Sequence, residues 1–190
     1  MPDQHLLVQI AALSDASASV RKNAATAIFN AGAELIAPLL QQWHAYSEMA
    51  ACISSAGPPQ ITVGIAVQTA RFDEIRNANG TPPLADVPPD QDAKEFELDF
   101  PGGARLDVLT STGPGGSGAI ARYLKKFGEG IQQIEVNVSD VDHATQMLRS
   151  QFGVEPIYPA TRTGANQTKV NFFLISIPGG GKLLVELVEK

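Results

Sequence analysis

The chain has 190 residues, 44% of them hydrophobic and 18% charged, with a net charge of −6 and no Lys or Arg cluster beyond Lys125-Lys126. That length suffices for a full core with an appendage, and the acidity excludes the basic footprint of a nucleic-acid or anionic-membrane binder. The lone Cys52 excludes an intrachain disulfide or a Cys-rich metal knuckle.

Residues 3–55 are helical in pattern. Leu6, Leu7, Ile10 and Ala11 form one stripe broken at Ser14-Asp15; a second runs from Val20 through Ala24, Ala27, Ile28, Leu35, Ile36, Leu39 and Leu40 to Trp43, with Gly32 and Pro38 as expected interruptions. Cys52 is expected to be a small buried hydrophobe. Gly57-Pro58-Pro59 marks a boundary, since prolines cannot donate to a helix and push the preceding residue out of helical geometry. A strand is expected over 61–67, a short helix over 72–78, and an irregular excursion over 80–91 that carries four prolines and suits a mobile flap. Residues 95–100 and 104–110 flank Pro101-Gly102-Gly103 as a hairpin, and Gly113–Gly118 leads into a helix over 119–127. That glycine run lacks the Lys-Ser/Thr of a phosphate-binding loop and reads as a hinge. A strand at 131–138, a helix at 140–152 capped by Ser139, and strands at 154–158, 169–176 and 183–188 complete the chain.

The order is β-α-β-β-β twice over. Aligning Thr62–Val67 with Gln133–Val138 gives an internal offset of 71 residues (133 − 62), the length of a supersecondary module. The expected class is α+β: a helical segment over 1–57, then 58–190 with module one at 60–112, a linker helix at 113–128 and module two at 129–190.

Two stretches carry a resemblance. Gly128-Glu129-Gly130-Ile131-Gln132-Gln133-Ile134-Glu135-Val136-Asn137-Val138 is similar to the G-E-G-I-H-H-I-A-x-x-V of methylmalonyl-CoA epimerases, and Leu183–Glu189 to their V-L-V-E-L-V. The chain thus resembles the glyoxalase, or vicinal oxygen chelate, superfamily over roughly residues 60–190. Asp15, Val20, Arg21, Ala24 and Ala25 are similar to the centre of one HEAT-type repeat. A single repeat cannot bury its own apolar face, so these helices are expected to pack on the C-terminal domain, a second copy in a homodimer, or a partner protein.

The resemblance implies two modules around one cleft, with metal ligands at Thr62, Asp107, Gln133 and Glu186. Both family histidines are replaced there, by Thr62 and Gln133. His5, His44 and His143 lie in helical segments and do not rescue the site. Two carboxylates, an amide and a hydroxyl suit Mg, Ca or Mn, and weakly, so no cofactor is expected to bind tightly, a weak divalent metal at most. Epimerase chemistry would use Glu186 as one base and one of Glu95, Glu97 and Asp99, which share a strand face, as the second; that face is otherwise simply a wet one. Gln133, of opposite parity to Gln132, would orient a ligand carbonyl, and Arg162 would meet a carboxylate or phosphate or stay solvated.

Two readings follow from the resemblance and from the residues that depart from it. One is an epimerase-like isomerase or lyase binding a small acyl or carboxylate ligand at a degraded metal site. The other is a non-catalytic ligand-binding or protein-interaction module with a vestigial cleft. No nucleic acid or membrane partner is expected, since no apolar run approaches the roughly 20 residues of a membrane span. Asp3 stands where a secretory signal wants positive charge, and a cytoplasmic location is expected.

Overall fold

The computed structural model describes residues 4–53, 59–113, 116–177 and 181–189. Gly57, Pro58, Pro114, Gly115 and Pro178–Gly180 lie outside them. The chain divides into two compact units, Met1–Gly32 with Thr62–Gln132 and Ala33–Ile61 with Gln133–Lys190. Both carry helices and strands, an α+β architecture with a helical N-terminal segment.

Three helices open the chain: α1 (Gln4–Ala12), α2 (Ala18–His44) and α3 (Ser47–Ile53). Pro38 does not interrupt α2, which runs unbroken through both Gly32 and Pro38. A proline inside a helix forfeits one backbone hydrogen bond, and in 27 residues the apolar face carried by Ala24, Ala25, Ile28, Ile36, Leu39 and Trp43, all buried, outweighs that loss. Residues up to Gly32 belong to the first unit and those beyond it to the second. In the first unit Asn79, which ends the helix Thr69–Ala78, ties that helix to the N-terminal ones, its Nδ2 donating to the Leu13 carbonyl at 2.9 Å and its Oδ1 accepting from Arg21 Nε at 3.1 Å. In the second, Tyr46 meets Phe152 edge to face at 6.0 Å, and Cys52 is buried.

Module one consists of β1 (Ile61–Ala66), α4 (Thr69–Ala78), β2 (Ala93–Phe100), β3 (Ala104–Ser111) and α5 (Ala119–Phe127). The strand order is β2-β3-β1, with β1 parallel and β2 antiparallel to β3. Every residue of β1 is buried, as its apolar run requires of a parallel strand. Helix α4 packs on one sheet face, where Phe72 meets Phe96 at 4.7 Å. Helix α5 lies over Ala66 and Leu109 on the other through Ile120 and Leu124. Among the described residues the extra strand that a β-α-β-β-β order calls for in this module is absent. Residues 79–88 hold no regular structure and are fixed by Thr81 N–H to the Arg76 carbonyl at 2.9 Å, Arg76 Nε to the Pro82 carbonyl at 2.8 Å and Ala85 N–H to the Glu95 carbonyl at 3.0 Å. The prolines there cannot donate ladder bonds.

Module two comprises β4 (Gly130–Asn137), α6 (Val141–Phe152), β5 (Arg162–Thr163), β6 (Lys169–Ser176) and β7 (Lys182–Glu189). Its strand order is β4-β7-β6-β5, with β4 parallel to β7 and the other pairs antiparallel. The cap of α6 is Asp140, not Ser139: its carboxylate accepts from the His143 N–H at 2.9 Å, and a carboxylate also complements the positive helix end. Residues 154–158 form no strand. They make one bridge, Pro156 to Phe173, because Pro156 and Pro159 interrupt the donors a ladder needs.

Candidate functional site

In each module the first and last strands run side by side and parallel, so registered residues share a face. In module one Asp107 lies opposite Gly64 of β1 and Glu97 of β2. In module two Glu186 lies opposite Glu135 of β4 and Phe172 of β6. Gly64 and Glu135 are again 71 residues apart (135 − 64), so the offset read from sequence is also the structural equivalence.

The acidic face of module one is turned away from α4. By period-two alternation it holds Thr62, Gly64, Asp107, Arg105, Glu95, Glu97 and Asp99. Asp107 is 1% exposed and Thr62 is buried, whereas Glu95 is half-buried and Glu97 exposed. Asp99 is taken up by Arg105 at 3.1 Å.

The acidic face of module two is turned away from α6, which bonds the opposite face through Thr145 and Asn171 at 3.4 Å. Gln133, Glu135 and Asn137 stand on it from β4, Leu184, Glu186 and Val188 from β7, and Val170 and Phe172 from β6. Gln133 Nε2 donates to Glu186 Oε2 at 2.7 Å, with both side chains buried. Gln132 takes the opposite face, as its parity requires. Arg162 pairs with Val170 and therefore shares the Glu186 face. Its guanidinium lies 4.4 Å from the Tyr158 ring centre, and Tyr158 meets Phe172 edge to face at 6.0 Å.

The sequence-predicted residues thus fall into two in-unit groups: Thr62, Asp107, Glu95 and Glu97 on one face, Gln133, Glu186 and Arg162 on another. Glu135 was missed. It is 8% exposed, as is Glu186, and stands one strand away, where neighbouring strands are about 4.8 Å apart. The signal was present: Glu135 has the parity of Gln133 and occupies the Ala position of the family motif. Tyr158 and Phe172 carried no comparable signal, since aromatic residues there read as core.

The donors do not fit the borderline-soft metal that the resemblance implies. Among the described residues no imidazole is present on either face; His143 is exposed on α6 and His44 ends α2. Gln133, where the resemblance implies a ligand, turns an amide N–H toward the Glu186 carboxylate, and such metals favour imidazole or thiolate. Among the described residues no group of three or more His, Cys, Asp or Glu side chains is arranged to hold a metal ion.

Two modules, each closing its first strand on its last and presenting a buried carboxylate from that last strand, define the glyoxalase-type, or vicinal oxygen chelate, fold. No family profile and no curated protein matches the chain, but solved structures do. Methylmalonyl-CoA epimerase from Mycobacterium tuberculosis is 33% identical over 67% of this chain and 85% of its own, with a TM-score of 0.54. The chain belongs to the methylmalonyl-CoA epimerase family. A methylmalonyl-CoA epimerase in complex with methylmalonyl-CoA and NH4+ is 26% identical over 68% of this chain and 92% of its own, with a TM-score of 0.53. A Streptomyces coelicolor epimerase variant in complex with 2-nitronate-propionyl-CoA gives the same identity, coverage and TM-score.

Proposed function

We propose that the chain binds a small acyl thioester or carboxylate against the Glu186 face of module two, and that Glu186 exchanges a proton at the carbon next to the ligand carbonyl. The family's metal site is degraded in this reading. The observation that carries it is the buried Gln133–Glu186 hydrogen bond with Glu135 in register beside it. Two relatives hold methylmalonyl-CoA and 2-nitronate-propionyl-CoA, ligands of the class proposed.

Abstraction breaks the α C–H bond, sends the proton to a Glu186 oxygen and moves the electron pair toward the carbonyl oxygen. Gln133 orients the carboxylate by donating to Oε2 at 2.7 Å. Glu135 lies buried in register beside Glu186, one strand away, and is the second carboxyl group proposed to face the ligand on that side.

A purely binding role is the second reading, favoured by Gln133 itself: an amide conserves hydrogen bonding without proton transfer. Titration calorimetry with methylmalonyl-CoA, propionyl-CoA and free CoA tests the shared premise. The proposal expects a thioester dissociation constant below about 1 mM, the upper end of ordinary substrate affinities. Failure of both thioesters to bind at millimolar concentration sinks it.

A further inference from the structure

The face that carries Glu186 does not follow the polar-out alternation of a sheet side left in water. Its outward positions on β6 are Val170, Phe172 and Leu174, and on β7 Leu184, Glu186 and Val188. Burial changes along it. Val170, Glu186 and Val188 are buried, Phe172 and Leu184 are half-buried, and Leu174 is 48% exposed. Ile157, 49% exposed, adjoins from the other side of β6: Pro156 bridges Phe173, so Ile157 takes the face of Phe172, whose carbonyl accepts the Ile157 N–H at 2.7 Å. Leu184 and Leu174 are register partners, as are Glu186 and Phe172. Leu184, Leu174, Phe172 and Ile157 therefore form one apolar patch bordering Glu186. Exposed apolar side chains scattered singly need no account, but a contiguous set beside a buried acid marks a binding surface. Beyond it Lys182 and Ser176, paired across the strands and exposed, end the apolar stretch.

We infer that this patch is a hydrocarbon subsite, and that the ligand held at Glu186 carries an apolar chain on its acyl group. The inference rests on the proposed function and names its substrate class. Size selects the occupant. Four side chains are far fewer than the roughly 20–30 residues a side of a stable protein interface, but they suit one chain. Leu184 lies two residues from Glu186 and Leu174 one strand further, so their Cα atoms are about 7 and 8 Å from that of Glu186, and Ile157, two strand spacings away, is about 10 Å from it. An extended chain of roughly six to eight carbons covers that span at carbon–carbon bonds of about 1.5 Å. A charged chain end would lose water against these four side chains and gain no partner from them, so the chain ends apolar.

The test is calorimetric binding of propionyl-, hexanoyl- and octanoyl-CoA to the full chain and to the double variant Ile157→Ser with Leu174→Ser. Burying one methylene strengthens binding about threefold to fourfold, so three of them in hexanoyl-CoA are expected to tighten wild-type binding at least tenfold over propionyl-CoA, with octanoyl-CoA bound no more weakly. The double variant should reduce that ratio below threefold with propionyl-CoA affinity unchanged, which a general loss of structure would not do. A chain-length preference that survives the double variant overturns the assignment of the patch. Equal wild-type affinity for all three thioesters overturns the subsite and spares the proposed function, whereas absence of binding to any of them overturns both. Sedimentation velocity supplies the remaining outcome: a wild-type dimer that the double variant converts to monomer makes the patch an interface between copies and overturns the subsite.

Discussion

Replacing Gln133 with Leu takes away the amide N–H that Glu186 accepts at 2.7 Å, inside a face where both side chains are buried. A hydrogen bond to a charged group contributes about 1.5–3 kcal/mol, and removing one partner leaves the other with its desolvation cost. By that reasoning Gln133→Leu destabilises by about 2 kcal/mol, close to a thirtyfold shift in the folding equilibrium. Glu186→Leu removes the acid, and the double variant leaves two apolar groups with nothing unpaired between them. The coupling energy across the four proteins is therefore expected at about 1.5–3 kcal/mol. Denaturant unfolding followed by the fluorescence of Trp43 measures it, because this single tryptophan is buried and belongs to the same unit as Gln133 and Glu186. A coupling below about 0.5 kcal/mol, the level at which independent sites add, would refute the claim that the two side chains act as a unit.

Gln133→His should place an imidazole beside Glu135 and Glu186, completing a three-ligand set; Co or Zn affinity by calorimetry is expected to rise at least tenfold over the parent, and an unchanged affinity would show that the two carboxylates do not converge. Acid should unfold the chain partly through two carboxyls held below their usual range, Asp92 by its hydrogen bonds from Thr112 and the Gly118 N–H, and Asp142 by Lys169 at 2.6 Å. Because their folded values are depressed, their contribution is complete above the ordinary carboxyl value near 3.8 and is lost as pH falls through the folded values. Asp92→Asn and Asp142→Asn should therefore lower the melting temperature at pH 6 more than at pH 2.5, and an equal loss at both would place the effect elsewhere.

The elements legible in the sequence were those with a clean period or a strong stop. Helix 119–127 and strand 169–176 have the bounds their patterns gave, and the register sets Asp107 opposite Gly64 and Glu186 opposite Glu135, first-strand partners related by the 71-residue offset. Local stops misled where tertiary burial overrode them, as at Pro38, and Ser139 lost the cap to Asp140 because both are good caps one residue apart. Strand 154–158 was read from hydrophobicity, while the edge strand is Arg162–Thr163, too short to show a period. Parity placed Gln133 on the Glu186 face and Gln132 on the opposite one. Glu135 escaped because its significance lies in a cross-strand neighbour 51 residues away (186 − 135), and the Tyr158–Arg162 stack escaped because its geometry depends on a loop conformation.

The central claim is that Glu186 exchanges a substrate proton. It is tested most directly by proton NMR of methylmalonyl-CoA in D2O, following loss of the α-proton signal with the wild type and with Glu186→Gln, which keeps the size of the side chain and removes its basicity. The account predicts exchange above the enzyme-free rate for the wild type and a fall of at least a hundredfold in Glu186→Gln, the scale of removing a positioned acid–base group. A wild type that binds the thioester but exchanges its proton no faster than buffer, or a Glu186→Gln variant as active as the parent, would contradict it.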